Sequence, residues 1–485
     1  MASHGDKTIP PSLEVLNSSP SYSSDYPSPP LGRDDEEKAP SILATALPLP
    51  EAPDGGTRAW LQVAGSFLVF GNLWGITFAF GTFQSYYELT YLPSYSASSI
   101  SWIGTISTFL LILGGIASGP LFDWGYFRSM LIAGALIETL AVMLLSLCTK
   151  YWQIFLTQGV LMGLGNGLLY IPGLALVGRA FKKHRAMAVG ITTCGAPVGG
   201  IIYTITFEQL IGRMSFGWAV RIMGFVMLAS YLIAFPLILW KVKNAGDIAS
   251  GQTRKLFDKT AVKDLPFWSF TSSNFLIFTG YMVPFYFMAS YGQTELGMNR
   301  SDANYVIVIA QACSVVGRIA AAATAAKIGV LIPWITCAVS SGVLCLGWAG
   351  VHSPGAFVAF AALYGCTSLT ALIQQAFRPV KFTDILSTGF SGALIPLPPS
   401  VFPVVCPDPK VLGARLGMAQ GIGSFASLIG SPIAAALTSI NAQPGHPNYL
   451  GLQLFGGLIM ALGGCNLFGL WALLVKQREL RSKFI

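Results

Sequence analysis

Trp60-Leu-Gln-Val-Ala-Gly-Ser-Phe-Leu-Val-Phe-Gly-Asn-Leu-Trp-Gly-Ile-Thr-Phe-Ala-Phe-Gly-Thr-Phe-Gln-Ser-Tyr86 contains no charged residue. A bilayer core is crossed by about 20 mostly apolar helical residues, so this stretch is long enough to span one. Eleven further stretches read the same way: 98–121, 130–148, 152–177, 186–210, 219–240, 267–291, 303–325, 329–351, one starting at 355, 413–440 and 452–475. Short polar turns separate most of them, and a basic loop divides them six and six. The pattern predicts an all-α membrane protein of 12 transmembrane helices in two six-helix bundles.

Composition agrees. Hydrophobic residues are 53% of the chain and charged residues 10%, against about 25% charged in soluble domains, which excludes folding in water. The net charge of +8 is no nucleic-acid footprint, because it is distributed by side. With residue 60 entered from the cytoplasm, 18 Lys and Arg fall in the even-numbered connections and the C-terminal tail, against 4 in the odd-numbered ones. Basic residues accumulate on the cytoplasmic side, so both termini are expected there. The eight cysteines lie in or beside apolar spans without regular spacing, and the four histidines make no metal constellation. No GxxxxGK[ST] phosphate loop occurs, and Gly163-Leu-Gly165-Asn-Gly167 sits in an apolar helix with no strand before it. No cofactor is expected. A membrane enzyme would need clustered acids and histidines at one depth, whereas only Glu138 and Arg318 read as deeply placed.

Five regions follow. Residues 1–53, rich in Ser and Pro with Asp34-Asp35-Glu36-Glu37, read as a disordered cytoplasmic tail. Residues 54–240 form the first bundle, 241–266 a basic cytoplasmic linker, 267–475 the second bundle and 476–485 a cytoplasmic tail. The halves echo each other. Arg185-Ala-Met-Ala-Val-Gly190 opens span 5 and Arg415-Leu-Gly-Met-Ala-Gln-Gly421 opens span 11. Gly195-Ala-Pro197 and Gly430-Ser-Pro432 then follow in the same two spans. Paired Gly/Pro interruptions in repeated halves point to a midplane site of the secondary-transporter kind.

Four motifs occur in order: Asp54-Gly55-Gly56-Thr-Arg-Ala-Trp60; Phe80-Gly81-Thr-Phe83-Gln84-Ser-Tyr86-Tyr87-Glu88; Gly119-Pro-Leu121-Phe-Asp123-Trp-Gly125-Tyr-Phe-Arg128; and Gly163 to Pro172 followed by Phe181 to Gly190. Over residues 54–475, one segment apart, the chain resembles the monocarboxylate porter family of the major facilitator superfamily, in its fungal branch. The resemblance implies two bundles rocking about a small organic anion. Asp123 and Arg128 resemble the superfamily's gating loop; its second copy is weakened, with Ala326 before Lys327. Arg318 matches the span-8 arginine that binds the substrate carboxylate in the family. A central Arg costs about 2.5–3.5 kcal/mol even on the lenient insertion scale, so it faces either a cavity or a salt-bridge partner. Two positions depart from the animal lactate carriers: Ser314 replaces an Asp, and span 1 offers no lysine.

Further candidates come from the residues. Glu138 is either a proton-coupling acid or a hydrogen-bonded structural one. Asn166 and Tyr170 lie one turn apart on span 4, Gln311 two turns before Arg318, and Tyr281 and Tyr286 flank Pro284. As a set they suggest an organic anion with an aromatic or aliphatic body. Asn299, in an Asn-Arg-Ser sequon of loop 7–8, is a glycosylation candidate. Three functions stay open: export of a carboxylate-bearing secondary metabolite, proton-linked uptake of a simple monocarboxylate, and nutrient sensing without transport. The expected partners are the anion and membrane lipid, with no nucleic acid and a monomer sufficing. The expected location is the plasma membrane, with a vacuolar or other internal membrane as alternative.

One segment breaks the pattern. Residues 367–389 contain Gln374-Gln375, Arg378-Pro379, Lys381 and Asp384, which cannot lie unpaired in lipid. Removing them joins Cys366 to Phe390 and restores a continuous tenth span, as expected of a translated intron. Sequencing the transcript across this junction should yield a message lacking these codons; a spliced message that retains them would reject the intron.

Overall fold

The computed structural model describes residues 55–181, 185–239, 257–328, 331–366, 401–402, 404–406, 409–442 and 447–483. Regular structure among them is entirely helical. The membrane helices of the first half are α1 (Thr57–Tyr91), α2 (Ala97–Phe122), α3 (Phe127–Leu145), α4 (Tyr151–Leu174), α5 (Met187–Ile211) and α6 (Phe216–Leu239). Those of the second half are α7 (Leu265–Thr294), α8 (Arg300–Ala320), α9 (Leu331–Gly350), α10 (Pro354–Cys366), α11 (Val411–Leu437) and α12 (Leu450–Lys476). Ten of these are long and apolar enough to cross a bilayer. The 30-residue α7 is long enough but richer in Ser, Thr and Asn.

The 13 residues of α10 rise only about 20 Å, short of a bilayer crossing. This helix is described as far as Cys366, and the residues that follow it lie outside the described ones. Chain described again at Phe402 packs its ring 4.9 Å from Phe270 of α7. The 367–389 segment itself, the tail 1–53 and residues 241–256 of the linker lie outside the described residues.

α1 outruns its predicted end by five residues, through a π-helical turn at Tyr87–Tyr91. Local aromatic packing explains the extension. Tyr86 stacks on Phe216 with ring centres 5.8 Å apart, and the Tyr91 hydroxyl donates to the Cys148 carbonyl at 2.7 Å. These contacts hold a polar helix end that hydropathy alone would have cut.

Lipid tails are as apolar as leucine, so helices in a bilayer associate through close packing rather than through hydrophobic burial. Glycines supply that closeness in the same way in both halves. A Cβ at Gly199 of α5 would stand 1.8 Å from the Gly71 carbonyl of α1, and one at Gly195 2.0 Å from the Phe67 carbonyl. In the second half, a Cβ at Gly430 of α11 would stand 2.0 Å from the Thr279 carbonyl of α7. The Gly195-Ala-Pro197 and Gly430-Ser-Pro432 echoes therefore mark one packing joint made twice, α1 on α5 and α7 on α11. Between the halves, α2 packs on α11, α5 on α8 and α1 on α7. At the last contact a Cβ on Gly81 would stand 2.0 Å from the Phe285 carbonyl.

Arg415, which opens α11, ties it to the linker. Its guanidinium donates to Asp258 at 2.7 Å and to Asp264. That hydrogen bond, with those from Thr260, holds the Asp258 carboxyl at about 2, below the usual carboxylate range. The tie is therefore fully formed above the unfolded carboxylate value and lost only as pH falls through about 2.

Gly199→Val should lower the stability of detergent-solubilised protein by about 1–3 kcal/mol or more, the usual cost of overpacking. Gly469→Ala, where an added Cβ meets nothing within 4 Å, should leave the melting temperature unchanged. Equal behaviour of the two variants in a thermal melt would dismiss the glycine joint.

Candidate functional site

Arg318 sits in the last turn of α8, inside a longer helix that continues to Ile328, and is only 2% exposed. Its Nε and Nη2 find no acceptor among the described residues. The guanidinium carbon lies 5.9 Å from the centre of the Phe78 ring on α1, and its electrostatic neighbours are Tyr281 of α7 and Cys194 at the head of α5. Two turns earlier on α8, Gln311 is 1% exposed, and neither its oxygen nor its nitrogen is hydrogen-bonded. Gly200 marks how closely these groups gather. A Cβ there would lie 3.2 Å from Phe78 Cβ and 3.3 Å from Gln311 Cδ.

Rings from both halves frame these polar groups. Tyr170 of α4 meets Trp74 edge-on at 6.3 Å, Trp74 lies 6.1 Å from Phe78, Phe78 5.4 Å from Phe285, and Phe285 5.8 Å from Tyr281. The Trp74 Nε1 and the Tyr281 hydroxyl are also buried without partners. A guanidinium, an amide, a phenol and an indole N–H thus converge on the boundary between the halves with donors unspent. Buried polar groups are normally satisfied, and exceptions need an explanation. An unpaired cation in a low-dielectric interior is costlier still. Acceptor oxygens would satisfy the donors of this cluster, whereas the Gln311 oxygen would need a donor of its own.

Tyr170, Tyr281, Gln311 and Arg318 are therefore brought together. Asn166 and Tyr286 are not. The Asn166 amide, oriented by its hydrogen-bond partners, donates to Glu138 at 3.0 and 3.3 Å. The Tyr286 hydroxyl lies 3.3 Å from Thr108 of α2, and its ring packs 4.8 Å from Phe80. Glu138 is fully buried inside the first half, where the Tyr231 hydroxyl also donates to it. Beside them, Tyr203 donates to Asn72 Oδ1 at 2.7 Å and Asn72 donates to Ser230 at 2.6 Å. Sequence reasoning passed over Trp74 and Phe285 as site residues, although Phe70, Trp74 and Phe78 recur at the four-residue spacing of one helix face.

The gating-loop candidates close α2 and open α3. The Asp123 side chain lies outside the described residues, and Arg128 is exposed on the first turn of α3. Asn299 is exposed too. It caps α8, its Oδ1 accepting from the Asp302 backbone N–H at 2.8 Å. No disulfide joins Cys148, Cys194, Cys313, Cys337, Cys345, Cys406 or Cys465 to another described cysteine.

Comparison with known proteins bears on the whole fold. The sequence model of the Major Facilitator Superfamily matches residues 62–387. The MFS-type transporter dbaD of Emericella nidulans is 34% identical over 411 residues, 85% of either chain. The Aspyridones efflux protein apdF of the same organism is 33% identical over 418 residues, 86% of this chain and 78% of that protein. The Agnestins efflux protein AgnL12 of Paecilomyces divaricatus is 34% identical over 415 residues, 85% of this chain and 87% of that protein.

If the polar cluster exists for a solute rather than for the fold, removing its polarity should not cost stability. Gln311→Leu and Arg318→Met should leave the melting temperature of the substrate-free protein unchanged or higher, since an unsatisfied buried group costs about 1–3 kcal/mol. A marked drop in both melts would mean that these side chains hold the structure together.

Proposed function

The chain belongs to the major facilitator superfamily and is a multi-pass membrane transporter; from that premise we propose a finer reading. It is a member of the monocarboxylate porter branch that exports a carboxylate- or enolate-bearing secondary metabolite by alternating access. The observation that carries this reading is the unpaired Arg318 guanidinium at the boundary between the halves. Arg318 takes the anionic head with bidentate geometry, Gln311 and Tyr281 take its remaining oxygens, and Tyr170, Trp74, Phe78 and Phe285 bracket a flat or aliphatic body. Export is supported by the relatives whose names describe efflux of aspyridones and agnestins. Uptake of a simple monocarboxylate fits less well, because Ser314 and the lysine-free first helix lack that mechanism's charged groups.

Sidedness follows the basic residues. Both termini lie in the cytoplasm, loop 7–8 with Asn299 faces outward and can accept a glycan, and the protein acts in the plasma membrane. Asp123 and Arg128 hold the cytoplasmic side of the first half as a gating loop. The 54–240 and 267–475 regions are the two moving bodies, and 367–389 is an insertion foreign to them.

Uphill export needs a gradient, and Glu138 is the acid proposed to couple it. Asn166 links the two sites. It donates to Glu138 and lies one turn from Tyr170 on α4, so a solute pressing on Tyr170 shifts a donor to the carboxyl. Losing that donor changes the stability of the charged form relative to the neutral one.

In a strain lacking this gene, the metabolite should accumulate in cells relative to medium. The intact chain should restore its release and Arg318→Ala should not. Glu138→Gln should release it without response to external pH. Equal partition in deleted and complemented strains would rule out export, and full release by Arg318→Ala would remove that residue from the site.

A further inference from the structure

A second acid lies outside the central cluster. Glu88 occupies the π-helical turn that ends α1 and is partly buried where the halves meet. Its Oε1 is 2.5 Å from Gln84 Nε2 of its own helix, and its Oε2 is 2.5 Å from Ser290 Oγ of α7, in the other half. Glu88 makes no ion pair among the described residues.

The contact belongs to a polar seam at one end of the molecule. Gln293 donates to Ser85 at 2.6 Å, Ser98 donates to the Pro432 carbonyl at 2.9 Å, and Gln209 donates to Tyr305 at 2.9 Å. Glu208 accepts from Asn304 at 2.7 Å and from Arg300 at 3.2 Å. Every one of these contacts joins the first half to the second, so the seam must part when this end opens. Glu208 carries its own cation. Glu88 meets only neutral partners.

We propose that Glu88 is a proton-operated latch of the transport cycle, taking up a proton as the halves close around it and releasing it to water as they part. Gln84 and Ser290 donate to the two carboxyl oxygens, and a protonated Glu88 keeps both contacts by accepting from Gln84 and pairing its hydroxyl with the Ser290 oxygen, which can also accept. A carboxylate would have to leave water with no cation to offset the loss. The other ionisable groups packed around it do not change this. On its own helix stand Tyr86 and Tyr87, and α7 brings Tyr291 and Glu295. Tyr449, which precedes α12, lies within electrostatic reach of Glu88 and accepts from Thr294 at 3.1 Å. Tyrosines stay neutral at ordinary pH, and Glu295 is of the same sign. Arg300, an electrostatic neighbour of Tyr86, is engaged by Glu208. His352, exposed beyond Val351, is the remaining titrating group of the nearby α9–α10 turn. Closure binds a proton, so acid favours the closed seam and alkali the open one.

This inference rests on the alternation of two halves, not on Arg318, the solute or the direction of transport. Its test needs none of them. The full-length protein carrying Ser98→Cys, held in detergent, is reacted with a maleimide between about pH 5 and about pH 8, with the native-cysteine protein as background. Gln209→Cys serves as a second reporter across the same seam. Each is compared with the same protein bearing Glu88→Gln, which mimics the protonated acid and cancels the thiol's own pH response. Labelling with Glu88 present should rise above that of the Glu88→Gln protein, by up to about tenfold per pH unit for one linked proton. Ser290→Ala keeps the acid and should keep a pH response with a displaced midpoint. Identical profiles with and without Glu88→Gln at both reporters would overturn the latch, and so would a flat profile in the Ser290→Ala protein.

Discussion

A buried guanidinium with no counter-ion is the constraint around which this molecule is arranged. Arg318 is buried inside the helix that runs from Arg300 to Ile328, and no described acid pairs with it. The fold tolerates the charge because rings surround it and the rest of the bundle is packed tightly enough to carry a local penalty. Phe78 offers its face at 5.9 Å, a modest cation–π contact that steadies the group without neutralising it. Full compensation has to come from outside the chain. A protein that leaves its strongest buried electrostatic interaction unmade is poised for a partner that arrives and departs.

The glycine joints make such a site usable. Inside each half, backbone meets backbone where α1 crosses α5 and where α7 crosses α11, and such contacts have no slack for sliding. Between the halves the described contacts include rings, polar side chains, the Arg300–Glu208 ion pair and the tight approach of Gly81 to Phe285. Two stiff bodies with a softer boundary move relative to one another rather than within themselves. The site lies on that boundary, with Tyr170, Trp74 and Phe78 from one body and Tyr281, Phe285, Gln311 and Arg318 from the other. In the proposed transport cycle, rocking would change the distance between its walls and open it to one side at a time.

Sequence carried most of the fold because hydropathy, glycine placement and charge asymmetry are local quantities. It also placed Arg318 and Gln311 on one face of one helix, where both are buried, since spacing along a helix decides which residues share a face. What it could not carry was which neighbour that face meets. Asn166 and Tyr170 share a side of α4, yet Asn166 turns to Glu138 within its own half while Tyr170 meets Trp74. Tyr281 and Tyr286 flank one proline, and only the first faces the guanidinium. Glu88 went unread for a related reason. It lies past the end of the apolar run, and its significance depends on Ser290, some 200 residues away in the chain.

The two acids illustrate how differently a proton can act in one fold. An equilibrium between two arrangements is shifted only by a group whose surroundings differ between them. The described partners of Glu138, Asn166 and Tyr231, both belong to the first half and travel with it. Rigid rocking leaves that carboxyl indifferent, so any coupling through it has to be local, transmitted along α4 from a solute resting on Tyr170. Glu88 is the reverse case. One of its two partners belongs to the opposite body, and separation of the halves replaces that partner with water whether or not a solute is bound. On the two proposals, solute occupancy would be read by an acid inside one body and closure by an acid between the two. A protein with both can tie proton movement to each event separately, which strict exchange requires and neither acid alone provides.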